Sequence, residues 1–254
     1  MEVGEHIEAL DHEGRRLADV ASGTAWDAPV PSCPGWALRD LVTHVGGVHR
    51  WAAAIVGGAL SRSDRETHAA VGSGPPDAEL LDWFRSGHAN LVRTLQNADP
   101  AVSFWSFLPA PTPLASWARR QAHETAIHRV DAELAAGGDV SHCGDAFALD
   151  GLDELLYSFA VRRGRGAPTA DPPKIIEVRP AGASMRRIWI GPSGIDTTDF
   201  GAAEAADADV AARCAVSGPP HDVYLWSWHR PAAFTVDGDR AVLDDWARMS
   251  VTWI

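Results

Sequence analysis

Hydrophobic positions along this chain recur at helical spacing in the first half and at strand-like spacing in much of the second. Ile7, Leu10, Leu17 and Val20 share one face of a helix predicted over 5–22, which breaks at Ser22-Gly23. Pro31-Ser32-Cys33-Pro34-Gly35 halts an extended chain and sets up a second helix over about 36–57, closed by Gly57-Gly58. Its apolar face carries Leu38, Leu41, Val42, Val45 and Val48, with His44 among them. Residues 59–76 lack periodicity and read as a loop, after which Leu80, Leu81, Phe84, Leu91, Val92 and Leu95 mark a third helix. The apolar segment 104–113, FWSFLPAPTP, is broken by three prolines, so it suits covering a cavity rather than forming a regular element. A fourth helix runs from about 114 to 136 and stops at Gly137-Gly138.

Four helices of similar length joined by loops predict an antiparallel bundle, in which metal and cofactor sites are built from inward-facing side chains. The pattern changes after Gly138. A helix over 147–161 leads into the loop RRGRGAPTADPP, and strand-like runs follow at 174–180, 185–190 and 209–218. Further helical patterns lie at about 220–229 and 241–249, and the alanine-rich stretch 202–212 reads as a surface turn entering a strand. The expected fold class is α+β, with a four-helix bundle over 1–140 followed by a smaller α+β domain over 145–254.

At 254 residues, 46% of them hydrophobic, the chain can bury one large core or two modest ones. A net charge of -12 argues against a nucleic-acid surface, because phosphate binding depends on clustered Lys and Arg. Cys33, Cys143 and Cys214 are too widely spaced for a disulfide framework or a Cys-based zinc site, which points to a reducing, cytoplasmic setting. The opening MEVGEHIEALDHEG lacks the basic patch and apolar run of a signal peptide, and no apolar stretch reaches the length of a membrane span. A small-molecule partner and a soluble, monomeric protein are the expectation.

At about 100° per residue, Trp117, Gln121, Glu124, His128 and Asp131 fall on one face of the fourth helix. Their neighbours Leu114, Ala118, Ala122, Ala126, Ile127, Val130 and Leu134 are small or apolar, so this polar stripe is partly buried. Buried carboxylate and imidazole are costly unless paired or bound to metal. The string HETAIH invites comparison with the zinc-protease signature, yet His123 and His128 are five apart and cannot share an ion. Glu124 and His128, four apart, can. With His44 from the second helix they make a set of two imidazoles and one carboxylate that suits a divalent cation with open coordination positions. An i, i+4 pair on a solvated face and a hydrogen-bonded core histidine are the plainer readings. His49, five residues after His44, is expected at the surface. Cys33 precedes Pro34 at a helix start, where the dipole favours thiolate, but no paired base is evident. Cys143 and Cys214 are expected to be small buried apolar groups.

Two segments resemble the mycothiol-dependent maleylpyruvate isomerase family, a branch of the DinB-like metal-binding bundles. They are VPSCPGWALRDLVTHVGGVHRWA over 30–52 and WARRQAHETAIHRVDAE over 117–133. The family's Cys-Pro-Gly-Trp, Asp-Leu and His pattern is matched at Cys33 to Trp36, Asp40, Leu41 and His44, and its His-Glu-x-x-x-His-x-x-Asp pattern at His123, Glu124, His128 and Asp131. The resemblance implies zinc held by His44, Glu124 and His128. It also implies mycothiol as the thiol cosubstrate. VSGPPHDVYLWSWHRP over 216–231 is similar to the family's sterol-carrier-like C-terminal domain, where an arginine is thought to reach the active site, and Arg230 matches it by position. Arg162, Arg163, Arg165, Arg213 and Arg240 are alternatives.

Three protein ligands leave room for a substrate atom, and a thiol bound there loses its proton. The resemblance thus implies a thiolate attacking a small electrophile, as a thiol S-transferase or as a cis-trans isomerase of the maleylpyruvate type. Asp131 is expected to support His128, a solvated helix-end acid being the plainer reading, and Trp36 and Trp117 to wall the cavity where the thiol binds, simple core being theirs. The competing readings are a non-catalytic metal-dependent binding module or sensor, and a non-haem iron enzyme, which the same ligand set also suits.

Overall fold

Each of the four long patterns becomes a helix, the first three burying an apolar stripe and the fourth buried around most of its circumference. A computed structural model describes residues 1–58, 74–106, 108–161, 168–197 and 212–249. The chain divides into two compact units, Met1–His142 and Cys143–Ile254. Helices α1 (Val3–Ser22), α2 (Leu38–Val56), α3 (Asp77–Asn97) and α4 (Pro113–Ala135) make up the first. Helix α1 packs on α4 and α3, and α2 packs on the same two, so α1 and α2 sit diagonally across the bundle. Leu10, Leu17, Leu38, Leu41, Val45, Leu80, Phe84 and Leu91 form its apolar centre.

Two terminal signals are realised in detail. Thr112 caps α4, its Oγ1 accepting from the Ala115 amide at 3.1 Å, with Pro113 in the first turn. Gly57 closes α2 and Gly58 takes φ +75° beyond it, a conformation that costs glycine little. The described residues of 104–112 form no helix or strand, and Pro113 opens α4. They are tied to α4, since the Trp117 Nε1 donates to the Trp105 carbonyl at 2.8 Å and the Ser116 Oγ to that of Leu108 at 3.1 Å. The predicted loop at 59–76 and the alanine-rich stretch at 202–212 lie almost wholly outside the described residues.

Helix α2 approaches α3 closely because Gly46 has no side chain: a Cβ there would run into the indole of Trp83. Gly46→Ala is therefore expected to destabilise by about 1–3 kcal/mol through overpacking, read as a lower urea midpoint. An unchanged midpoint would show that Trp83 yields without cost.

The second unit starts with α5 (Asp145–Glu154), which runs on as a π turn over Leu155–Ala160, where the pattern predicted one helix over 147–161. Its sheet has the order β3-β2-β1-β4-β5, from β1 (Lys174–Pro180), β2 (Arg186–Gly191), β3 (Gly194–Asp196), β4 (Ala212–Gly218) and β5 (Thr235–Gly238). Strand β1 pairs antiparallel with β2 and parallel with β4. Ile176, Val178, Ile188, Ile190, Cys214 and Val216 put a buried apolar row on one face. Helices α6 (Pro220–Ser227) and α7 (Val242–Ala247) pack against β1 and β4. Strands β3 and β5, of 3 and 4 residues, were not predicted, being too short to show alternation.

Candidate metal centre

The site is built by two helices of the first unit. Helix α2 carries His44 on its inward face, and α4 carries Glu124 and His128 one turn apart. The Nε2 of His44 lies 3.2 Å from the Glu124 Oε1, and the Nε2 of His128 lies 3.3 Å from the same oxygen. All three ligand atoms fall within 4.8 Å of one another. The two imidazoles meet nearly edge to face, centroids 5.0 Å apart at 78°. These separations are long for charge-assisted hydrogen bonds, which run about 2.7–2.9 Å. They match a shared ion: ligand atoms roughly 2.0–2.1 Å from a tetrahedral cation stand about 3.3 Å from one another. The donor set therefore fits zinc by both chemistry and spacing, with a fourth corner left over.

The surroundings orient each ligand. The Arg120 Nη2 donates to the Glu124 Oε2 at 3.2 Å, which occupies one carboxylate oxygen and leaves the other facing the imidazoles. The His128 Nδ1 donates to the Asp131 Oδ2 at 2.9 Å, so its Nε2 is the atom turned toward Glu124. Trp36 lies against both rings, 5.1 Å from His44 and stacked 6.3 Å from His128. Burial acts to raise the Glu124 carboxyl, but hydrogen bonds from His128 and His44 outweigh it and hold the group well below the usual carboxylate range. Burial likewise works against a charged His128, yet Asp131 and Glu124 push the imidazole up to about 9. That direction favours the imidazolium at neutral pH when no metal is bound, its Nδ1–H on Asp131 and its Nε2 turned to Glu124.

The sequence model of the family "Mycothiol maleylpyruvate isomerase N-terminal domain" matches residues 7–133. The chain belongs to that family. Its fold is similar to a crystal structure of the mycothiol-dependent maleylpyruvate isomerase, with a TM-score of 0.64, 13% identity and 93% of each chain covered. A histidine-to-alanine mutant of that enzyme is matched with a TM-score of 0.61 and 12% identity, over 89% of this chain and 88% of the other. Among curated proteins none matches this sequence.

The remaining sequence candidates of this family member fall as follows. Asp131 is fully buried beside His128. Trp117, on the same face of α4 but two turns toward its start, joins Trp51 and Trp105 in an aromatic cluster, with centroids 5.0 and 6.0 Å away. Arg230 lies in the second unit, half-buried, its guanidinium donating to the Trp228 carbonyl at 2.6 Å. His123 is buried on another face, its ring 6.0 Å from that of His6.

His49 departs from expectation. It is fully buried rather than at the surface, because α2 is covered on more than its most apolar stripe. Its Nε2 meets the Thr125 Oγ1 at 2.8 Å and its ring faces Phe84 and His88, at 5.6 and 5.5 Å. Burial holds its pKa well below the ordinary value, so it stays neutral. Cys214 is buried in β4 as expected, and burial pushes its thiol up to about 11. Cys143 instead is half-buried, its Sγ 3.2 Å from the His221 Nδ1. Arg120 and Ser32 were missed. The i, i+4 spacing of Arg120 and Glu124 was a readable signal for the first; nothing local marks the second.

Proposed function

We propose that this protein is a metal-dependent enzyme that uses mycothiol, activating the thiol as a thiolate for attack on a small electrophile. The observation that carries this reading is the convergence of two imidazoles and one carboxylate oxygen at ion-sharing distances, with a corner left over. Family membership supports the thiol and an isomerisation of the maleylpyruvate type. His44, Glu124 and His128 would hold the cation, and zinc suits them. A cation held there lowers the pKa of a thiol, ordinarily about 8.5, so that thiolate predominates at neutral pH. Arg120 keeps Glu124 turned toward the site, Asp131 keeps His128 in one tautomer, and Trp36 excludes water from one side. We assign Arg230 the part of a substrate-binding cation, on the family likeness alone. Addition to the cis double bond of maleylpyruvate, rotation and elimination give the trans isomer; other electrophiles leave a stable conjugate. No described helix is long and apolar enough to cross a membrane.

The deciding assay combines zinc-loaded protein, mycothiol and either maleylpyruvate or a chlorinated aromatic. Product formation should need both metal and thiol. Equal rates with and without the thiol would dismiss the proposal.

Metal uptake should be coupled to proton loss. Because His128 is protonated up to about pH 9 in the metal-free protein, the cation must displace a proton from its Nε2. Apparent zinc affinity should then rise by about tenfold per pH unit between pH 6 and 8 and level off near 9. Calorimetry in buffers of different ionisation heat should count about one proton released per zinc at pH 7; no release would contradict the ligand assignment.

A further inference from the structure

We propose that Ser32 and Cys33 are positioning residues of the metal centre, acting through Asp131 on His128. This rests on the metal reading above and adds to it two residues from the turn before α2. Asp131 has no exposed surface, and a buried carboxylate is costly unless donors surround it. Ser32, Cys33 and His128 each bring a donor to it. The Ser32 Oγ donates to its Oδ1 at 2.5 Å, the Cys33 Sγ to its Oδ2 at 3.5 Å, and the His128 Nδ1 to the same Oδ2 at 2.9 Å. The serine contact lies at the short end of the range for a hydroxyl on an ionised carboxylate, about 2.5–2.7 Å.

The turn that presents these donors is closed on itself. Val30 N donates to the Trp36 carbonyl at 2.9 Å, Cys33 N to that of Val30 at 3.0 Å and Trp36 N to that of Cys33 at 3.0 Å. A bridge between Pro29 and Ala37 ties its ends, and Gly35 takes φ +89°, where a side chain would be strained. Consecutive side chains of a closed turn thus grip both oxygens of one carboxylate. With both oxygens held, the plane of the Asp131 carboxyl is set. The plane in turn fixes the tilt of the His128 ring and the aim of its Nε2 at the cation. Partners of a ligand histidine typically change metal affinity by about 10–100-fold. The same turn lays Trp36 against His44 and His128, so the Cys-Pro-Gly-Trp run serves the centre from its outer side.

The test is the zinc dissociation constant, measured by competition with a chromophoric chelator for full-length wild type, Ser32→Ala, Ser32→Thr, Cys33→Ala, Cys33→Ser, Asp131→Ala and the Ser32→Ala/Asp131→Ala double variant. Ser32→Ala and Cys33→Ala should each weaken zinc about tenfold, and Asp131→Ala about 10–100-fold. Ser32→Thr and Cys33→Ser, which keep a donor, should stay near wild type. In the Asp131→Ala background, Ser32→Ala should add nothing, since its only route is gone. A second readout is the proton NMR signal of the His128 Nδ1–H in the metal-free protein, which should shift or broaden in both alanine variants. Wild type that takes up no zinc removes the metal reading and this proposal with it. Zinc-binding wild type with unaltered affinity in both alanine variants removes this proposal alone. A serine penalty that persists without Asp131 also overturns it, by showing a route other than the carboxylate.

Discussion

Replacing His44 with alanine is expected to leave a folded protein that has lost thiol-dependent turnover, with zinc affinity down by more than the roughly 100-fold upper bound for groups behind a ligand. The remaining proposed ligands, Glu124 and His128, stand on one helix and would not enclose a cation alone. His44 is the group contributed from across the bundle, 80 residues away in sequence from Glu124. Its side chain keeps 19% of its surface exposed, so truncation leaves no sealed cavity and the loss of binding is not a loss of fold. Circular dichroism, metal analysis after dialysis and the thiol-dependent assay together decide the point. Wild-type zinc content with wild-type turnover in His44→Ala would end the catalytic reading.

The largest stability effect should come from Arg129→Ala. Arg129 is almost wholly buried and donates through Nε to the Glu13 Oε2 at 2.6 Å, and through Nη1 to the Glu133 Oε2 at 2.6 Å and the Ser141 carbonyl at 2.8 Å. Removing the guanidinium takes the cation from two buried carboxylates, Glu13 and Glu133, the latter keeping a longer contact to the half-exposed Arg16 at 3.3 Å, and breaking such a buried pair costs about 3–5 kcal/mol. The loss should also depend on pH. Burial pushes the Glu133 carboxyl up, but the Ser141 amide and Arg129 outweigh it and hold the group below its ordinary value. A carboxyl lowered in the folded state stabilises above its unfolded pKa, and that stability disappears as pH falls through the folded value. Wild type should therefore weaken on acidification, and Arg129→Ala, already without the cation, should weaken less. Urea unfolding at neutral and acid pH measures both. A penalty under about 1 kcal/mol at neutral pH would show that the carboxylates find other partners.

Much of the architecture could be read locally. The spacing of Leu38, Leu41, Val42 and Val45, the Thr112-Pro113 start and the Gly57-Gly58 stop are signals within a few residues of what they specify, so α1 to α4 appear near their predicted bounds. The run KIIEVRP matches β1 to the residue, because its β-branched residues Ile175, Ile176 and Val178 lie between turn residues. Pairing within one helix was equally legible: Glu124 and His128 at i, i+4 can only face the same way. Short strands and the π turn were not legible. Three or four residues carry too little pattern, and the backbone of 155–160 follows its tertiary surroundings rather than its propensities.

The sequence by itself determined the α+β class, the longer elements and the side chains available for chemistry, since periodicity, caps and turn residues act over a few positions. Only the tertiary structure decided that the His44 Nε2 comes within 3.2 Å of Glu124, that Ser32 and Cys33 grip Asp131 from 99 and 98 residues away, and that His49 is buried. Those distances depend on how one helix packs on another. Side-chain volumes summed over whole interfaces govern that packing, as where Gly46 admits Trp83, and no short stretch of sequence contains it.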